Sequence, residues 1–225
     1  IADALRSRYD AELGGGTVVE TLKGSDLVGQ RYTPLFDYFA DTELFGTQNA
    51  YQVLAADFVS VEDGTGIVHM APAFGADDYQ AGQVHGLALL RPVGADGLFT
   101  GTTWPEIEGR LVTADETNEA IIRRLKTDGR CLRTAQYVHS YPHCWRCKKP
   151  IIFRATEQWF ISMKANDLRV KALEAIDQVQ WIPKWGRERI YGMIENRPDW
   201  CVSRQRSWGV PITAFSCTEC GEYIA

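Results

Sequence analysis

The sequence lacks an apolar run long enough to cross a bilayer, which takes about 20 residues, so a helical membrane protein is excluded. Cysteine is scarce, with 6 in 225 residues, and this density is too low for a disulfide scaffold. Positive charge is in deficit, because 24 Lys and Arg face 29 Asp and Glu and the net charge is −5. The chain therefore does not coat nucleic acid through bulk charge, although a local basic patch is compatible with this balance.

The first residues also lack the apolar stretch of a signal peptide. Residues 1–10 (IADALRSRYD) are charged and helical in pattern, so we expect a reducing, cytoplasmic compartment. The chain begins with Ile and stops just after a pair of cysteines. These ends predict a piece of something longer.

The composition is otherwise that of a globular protein, with 45% hydrophobic and 24% charged residues. Apolar periodicity and turn residues predict mixed helix and strand. Strands are predicted at 17–22 and 67–70, and helices at 76–84, 112–128, 164–175 and 186–194. For the helix at 112–128, Thr113 and Glu116 predict a capping box and Gly129 predicts the end.

The segment GTGIVHMAPAFGADDY, residues 64–79, combines a glycine turn, a histidine and two aspartates at the point where a helix is predicted to begin. Glycines let a backbone approach a ligand closely, and a helix N-terminus favours a carboxylate. Asp78 and a neutral His69 would suit the binding of a substrate ammonium group and a water molecule. On composition alone, a helix-capping aspartate and a core histidine are the more common roles. The GTG triplet lacks the spacing of a dinucleotide or P-loop motif.

Two Cys-x-x-Cys pairs, Cys144/Cys147 and Cys217/Cys220, have the spacing of zinc knuckles. Thiol redox chemistry is less consistent with them, because two pairs are present and neither opens a helix of a βαβ unit. By spacing alone the four cysteines could form one Cys₄ site, or the spacing could be coincidental.

Three further segments leave alternatives open. The aromatic and basic stretch at 141–160 could stack RNA bases, but core packing is the more common role of such rings. Arg204 and Arg206 could bind phosphate or could be solvated charges. The run TTWP at 102–105 predicts a turn.

Three long motifs together resemble, in order and spacing, segments of the isoleucyl-tRNA synthetases. They are GTGIVHMAPAFGADDY, SYPHCWRCKKPIIFRATEQWF and NRPDWCVSRQRSWGVPI, and the resemblance covers nearly the whole chain. The valyl and leucyl enzymes have a similar layout. The histidine at 69 and the loop PAFGADDY favour the isoleucyl family over them.

The resemblance implies a class I aminoacyl-tRNA synthetase of α/β fold. It implies that 1–135 is the C-terminal part of a β-rich editing domain of the valyl, isoleucyl and leucyl type. Residues 136–165 would be a return ribbon with the first knuckle. Residues 166–225 would begin the second half of a Rossmann catalytic core and carry the second knuckle. The HIGH and KMSKS nucleotide-binding motifs and the threonine-rich editing strand are absent from the chain. The chain alone is therefore expected to be inactive.

The resemblance also implies the site. Asp78 would bind the α-ammonium of the amino acid, and His69 would orient the ester and the attacking water. The rest of the editing pocket would comprise Gly64, Thr65, Gly66, Ile67, Val68, Phe74 and Gly75. Each cysteine pair would be a zinc half-site completed by cysteines outside this chain.

The implied activity is ATP- and Mg-dependent charging of isoleucine tRNA, with hydrolysis of valine from misacylated tRNA. The partners would be isoleucine tRNA, isoleucine, valine and ATP. A cytoplasmic monomer that needs no membrane is expected. The alternative is a stand-alone zinc-dependent RNA-binding module.

Overall fold

The computed structural model describes residues 1–62, 64–102, 104–136, 138–205 and 209–224. The chain forms two compact units, Ile1–Ala155 and Thr156–Ala225. The three-segment division given above stays a prediction, because compactness does not assign a segment to a catalytic or editing domain. Across the described ranges, the helices are too short or too polar to pass through a membrane. Thr103 of the predicted turn and Arg206 lie outside the described residues.

The first unit consists of short helices joined by irregular segments. They are a 3₁₀-helix (Asp3–Tyr9), α1 (Gly24–Leu27), α2 (Thr42–Phe45), α3 (Ala76–Val84) and α4 (Asp115–Thr127). The helix predicted at 76–84 is therefore confirmed. The strands predicted at 17–22 and 67–70 are wrong, because no described segment pairs with either stretch and a strand requires a hydrogen-bonded neighbour. Within its described residues this unit contains isolated β-bridges in place of the β-rich portion implied by the resemblance.

Helix α4 ends where the sequence predicts. Gly129 adopts a left-handed conformation with φ of +67°, which glycine reaches without steric cost. Its amide donates to the Lys126 carbonyl (3.2 Å), and the Arg130 amide donates to the Leu125 carbonyl (2.8 Å). These two bonds form a Schellman motif, which satisfies carbonyls that a helix end otherwise leaves unpaired.

The start of α4 differs from the prediction. The helix begins at Asp115, and Ala114 occupies the N-cap position without any side-chain bond. The predicted capping box of Thr113 and Glu116 is therefore wrong, because Thr113 lies one residue before the cap. The fully buried Thr117 hydroxyl instead donates to a backbone carbonyl six residues earlier, at 2.9 Å.

The core of the first unit forms around Trp104, which belongs to the segment predicted as a turn and is only 6% exposed. Trp104 packs with the buried Ile107 and with Ala120 of α4. Aromatic rings stack on it, and the Arg124 guanidinium lies 5.9 Å from its ring centroid. The partly buried side chains around this cluster are Phe36, Tyr38, Phe99 and Ile121.

The second unit combines two helices with two short antiparallel pairs. Its elements are β1 (Phe160–Ile161), a 3₁₀-helix (Ala165–Asp167), α5 (Leu168–Gln178), α6 (Trp185–Glu195), β2 (Trp200–Cys201), β3 (Phe215–Ser216) and β4 (Tyr223–Ile224). β1 pairs with β2 and β3 with β4. The helix predicted at 186–194 is confirmed. The α-helix predicted from 164 begins only at 168, because Asn166 and Asp167 have φ of 52° and 55°.

Arg169 of α5 caps the C-terminus of α6. Its guanidinium donates to the carbonyls of Ile194 (2.8 Å), Glu195 (2.6 Å) and Arg197 (2.6 Å). A cation at this end of a helix satisfies unpaired carbonyls and complements the helix dipole. One side chain thus joins the two helices and supports the segment that leads into β2.

Candidate functional site

The glycine turn at 64–66 is held by the N-terminal 3₁₀-helix. The Tyr9 hydroxyl donates to the Gly64 carbonyl (2.8 Å), and the Ala2 amide donates to the Thr65 carbonyl (2.7 Å). Gly64 and Gly66 are both left-handed, with φ of +67° and +76°. A Cβ on Gly66 would lie 2.5 Å from the Ala2 Cβ, so this position requires glycine for its conformation and for space.

The segment that follows the turn is open to solvent. Ile67 is 62% exposed and Val68 is 49% exposed. His69 is also exposed, and its ring makes no hydrogen bond within the described ranges. The core-histidine alternative for His69 is therefore wrong, and its imidazole is accessible to a ligand.

Asp78 lies in the first turn of α3, not at its N-cap, which is Gly75. Its Oδ2 accepts the Ala71 amide at 2.9 Å, and the Phe74 amide donates to the Ala71 carbonyl at 2.8 Å. A Cβ on Gly75 would lie 2.9 Å from the same carboxylate oxygen, so only glycine fits there without displacement. Oδ1 has no hydrogen-bond partner in the described part of the chain. One oxygen of Asp78 therefore orders the loop while the other remains available.

The loop at 71–75 and Asp78 are thus brought together, whereas the editing pocket that the resemblance implies around them stays a prediction. Among the described residues, no hydrogen bond, ion pair or ring contact joins His69 to Asp78, so their shared pocket stays a prediction. Two cavities, of about 420 and 300 Å³, are lined by other residues. The first is lined by Gly192, Met193 and residues 196–200, and the second by residues 33–37, Arg124, Asp128 and Arg130.

Sequence reasoning missed the residues that support this loop from a distance. The Ala155 amide donates to the carbonyl of the buried Ala73 (2.7 Å). Next to it, the Arg154 side chain donates to the Val93 carbonyl (2.7 Å). Tyr9 supports the glycine turn in the same way. No local pattern predicts these bonds, because the partners are between 55 and 82 positions apart.

The first cysteine pair forms a tight hairpin loop. The Cys144 amide donates to the Lys149 carbonyl (2.8 Å), and the Lys148 amide donates to the Cys144 carbonyl (2.8 Å). Lys148 is left-handed, with φ of +58°, in a position where glycine is favoured. The two residues that flank the loop, His143 and Pro150, form an antiparallel bridge.

The second pair repeats this loop. The Cys217 amide donates to the Glu222 carbonyl (2.8 Å), the Gly221 amide donates to the Cys217 carbonyl (2.9 Å), and Gly221 has φ of +73°. Strands β3 and β4 flank it. Both pairs therefore have the same backbone geometry.

The sulfur of Cys217 also accepts hydrogen bonds. The backbone N–H of Cys220, followed by that of Glu219 and by the Cys220 thiol, lowers the pKa of the Cys217 thiol. Donors directed at a thiolate favour the deprotonated form that ligates zinc. The N–H donors around Cys217 therefore favour its thiolate form.

In the parts of the chain that are described, no three His, Cys, Asp or Glu side chains group closely enough to hold a metal. Each pair by itself supplies two ligands, whereas a structural zinc site takes four. The separate half-sites inferred from the resemblance stay a prediction.

Arg204 is exposed and orders its own loop, and its binding of phosphate stays a prediction. Its guanidinium donates to the carbonyls of Cys201 (2.8 Å) and Ser203 (2.7 Å), so it folds back on its own loop. The Ser203 hydroxyl accepts the Trp159 amide (2.9 Å). These bonds order the segment after β2.

The close approach at Gly66 predicts a difference between two matched substitutions. Gly66→Ala and Gly64→Ala both place a Cβ on a left-handed residue, which costs about 1–2 kcal/mol each. Only Gly66→Ala adds the contact with Ala2, so we expect it to lower the free energy of unfolding by about 1–3 kcal/mol more. Urea denaturation measures both, and equal losses would contradict the close approach.

The lowered pKa of Cys217 predicts its reactivity. In folded protein treated with a metal chelator, alkylation of Cys217 by iodoacetamide should reach half its maximal rate below the usual thiol pKa of about 8.5. In urea the N–H donors are lost, and the midpoint should return to that value. Mass spectrometry of the C-terminal peptide measures the rate at each pH. An identical midpoint in folded and unfolded protein would refute the assigned hydrogen bonds.

Comparison with known proteins identifies the family. Residues 9–225 match the sequence model of the family described as tRNA synthetases class I (I, L, M and V). The chain is 50% identical over 226 residues to the isoleucine–tRNA ligase of Geobacter sulfurreducens, with 100% of this chain and 23% of the relative covered. It is 48% identical to that of Thermotoga maritima, with the same coverage, and 47% identical to that of Aquifex aeolicus, with 93% and 22% covered.

The chain spans about a quarter of the length of these relatives. The similarity extends across both units and across all three motifs that carried the resemblance. Because the family match covers nearly the whole sequence, the chain belongs to the class I tRNA synthetases of the I, L, M and V group.

Proposed function

We propose that this chain is part of an isoleucine–tRNA ligase that charges isoleucine tRNA and hydrolyses misacylated valyl-tRNA. The observation that carries the proposal is the identity of 46–50% with isoleucine–tRNA ligases over nearly the entire chain. A stand-alone zinc-dependent RNA-binding module is not favoured, because similarity to ligases is not confined to the cysteine pairs.

A physical limit explains why such a ligase needs a second reaction. Isoleucine exceeds valine by one methylene, which is worth only about 1–3 kcal/mol in an apolar pocket; this amino-acid pair in this family is itself the known example. Valine therefore enters the charging site at an appreciable rate. A second, smaller pocket that hydrolyses the wrong ester improves the selection.

In this proposal the chain contributes an editing portion at 1–135, a return ribbon at 136–165 and the start of the second Rossmann half from 166. The chain contains neither HIGH nor KMSKS, so ATP and Mg²⁺ would be bound by other parts of the ligase. Isoleucine, valine and the tRNA would be its further partners. We expect the ligase to act as a cytoplasmic monomer.

Asp78 is proposed to bind the α-ammonium group of the esterified amino acid. Its Oδ2 is held by the Ala71 amide, which fixes the carboxylate, and its Oδ1 is available to a cation. The first turn of a helix stabilises negative charge. A fixed carboxylate orients an ammonium without first losing side-chain entropy, and this supports the assignment.

His69 is proposed to orient the ester and the attacking water. An exposed, neutral imidazole can accept a proton from water with one ring nitrogen. The turn at 64–68 would frame the terminal adenosine of the tRNA, and Phe74 and Gly75 would line the amino-acid side of the pocket. The glycines of the turn let the ligand approach the backbone closely.

Zinc is proposed at the two knuckles. Cys144 and Cys147 would hold one ion, and Cys217 and Cys220 another, each with two further cysteines from other parts of the ligase. A bound ion would close each hairpin loop onto its partner segment. The matching backbone bonds of the two loops and the lowered pKa of Cys217 support this assignment.

The role of Asp78 is tested by Asp78→Asn in the whole ligase. The substitution removes the charge but keeps an oxygen for the Ala71 amide. A charge-assisted hydrogen bond is worth about 1.5–3 kcal/mol, so deacylation of valyl-tRNA should slow about 10- to 150-fold. Isoleucine activation, measured by pyrophosphate exchange, should not change.

Asp77→Asn is the matched control for Asp78→Asn. Asp77 shares the first turn of α3 and is exposed. The Asp77→Asn ligase should deacylate valyl-tRNA at the parent rate. It loses the same charge near the helix N-terminus as Asp78→Asn does, but its contact with the ammonium group is retained. Normal deacylation by Asp78→Asn would refute the assignment, and a loss in both variants would indicate a general effect of charge.

The role of His69 is tested by His69→Ala. Because the ring is exposed, stability should change by no more than about 0.5 kcal/mol. Deacylation should slow by on the order of 100-fold, the lower end of what a side chain that handles the proton of a water contributes. His85→Ala, at the other end of α3, is the control. Deacylation at the parent rate by His69→Ala would exclude His69 from the reaction.

A further inference from the structure

The basic residues of the first unit are concentrated in its C-terminal part. Residues 129–155 contain six Lys and Arg and no Asp or Glu, although the whole chain has a net charge of −5. Such a block in an acidic protein indicates a surface for an anion. Four aromatic residues and two histidines lie in the same stretch.

Three of these cations are used inside the unit. Arg130 donates to the Pro34 carbonyl (2.8 Å), Arg133 pairs with Glu12, and Arg154 donates to the Val93 carbonyl. Their charges therefore stabilise the fold. These three cations are therefore not assigned to the binding of a partner.

The other three cations belong to the first cysteine hairpin. Arg146, Lys148 and Lys149 are exposed, and none of their side chains makes an ion pair or a hydrogen bond in the described portion of the chain. The backbone bonds of the loop hold them in one short turn. Three exposed cations on one hydrogen-bonded loop form a site for phosphates, since the backbone bonds reduce the number of loop conformations that binding has to select.

Aromatic rings accompany these cations and are not packed in a core. Trp145 is 72% exposed, and the Arg146 guanidinium lies 4.6 Å from its ring centroid. Tyr141 is 43% exposed and meets His139 and His143 edge to face, at 6.0 and 6.1 Å. The core-packing interpretation is therefore wrong for these rings. Exposed rings between cations bind unpaired bases, because each base has a face that can stack.

We propose that the hairpin surface, defined as Tyr141, Trp145, Arg146, Lys148 and Lys149, docks the single-stranded end of an RNA. The cations contact phosphates and Trp145 stacks on a base. An acidic protein partner would use the same charges but would not require the exposed indole. The identification of the RNA as the 3′ end of isoleucine tRNA rests on the proposed function.

Binding of an isoleucine tRNA transcript to the whole ligase tests this surface. Changing Arg146, Lys148 and Lys149 together to Gln should make the salt dependence of log K less steep by about 2, since each single-strand phosphate contributes about 0.7. Affinity at 0.1 M salt should fall about 100-fold. A control in which Arg110, Arg123 and Lys126 are changed to Gln removes the same charge from exposed positions of the same unit. This control variant should retain the salt dependence of log K that the parent shows.

Trp145→Ala separates stacking from charge. It should weaken binding about 5- to 150-fold with an unchanged salt slope, and Trp145→Phe should restore part of the loss. With a transcript that lacks its four 3′-terminal unpaired nucleotides, Trp145→Ala and the parent should bind equally. A structural role of Trp145 would weaken binding of both transcripts alike.

Any of three results would overturn the proposal that the hairpin surface binds RNA. They are an equal loss of RNA affinity in both triple variants, unchanged RNA binding by Trp145→Ala, or shielding of Trp145 from iodide quenching in the RNA-free ligase. Pyrophosphate exchange with isoleucine is measured in parallel. If the parent protein catalyses exchange but the variants bind RNA as the parent does, the hairpin surface is rejected and the proposed function is kept. If the variants lose RNA binding as expected but the parent catalyses no exchange, the hairpin surface is kept and the ligase function is rejected.

Discussion

The hydrogen bond from the Ala71 amide to Asp78 Oδ2 is the interaction on which the candidate site depends. It closes the loop at 71–75 onto the first turn of α3, and it leaves room at Gly75 only for a hydrogen atom. The Ala155 amide then binds the Ala73 carbonyl and ties this loop to the end of the unit. The Asp78 carboxylate, for which we propose ligand binding, is thereby fixed by a backbone group.

Short-range backbone hydrogen bonds also determine the conformation of the two cysteine loops. In each, the first cysteine exchanges backbone bonds with residues four and five positions later, and the residue after the second cysteine is left-handed. Gly221 adopts that conformation freely, whereas Lys148 adopts it at a steric cost. A lysine in that position retains a positive charge on the exposed face of the loop. The strained residue therefore coincides with the surface for which we propose RNA binding.

The sequence predicted the helices correctly where their position depends on residues close together in the chain. Gly129 ends α4 through two backbone bonds, and α3 and α6 lie at their predicted positions. The same reasoning failed at 17–22 and 67–70, because a strand depends on a partner that local periodicity does not reveal. It also failed for the rings at 141–145, since burial of an aromatic side chain depends on what packs against it and not on its residue type.

The sequence by itself determined the family, the cysteine spacing and the position of Asp78 at the start of a helix. These properties follow from residue order and from bonds that span a few positions. Only the tertiary structure decided that Tyr9 and Ala2 hold the glycine turn, that Oδ2 of Asp78 is engaged while Oδ1 has no partner among the described residues, and that Trp145 is exposed. Contacts between residues 50 or more positions apart arise when the whole unit packs, because many loop closures compete and only the packed state selects among them.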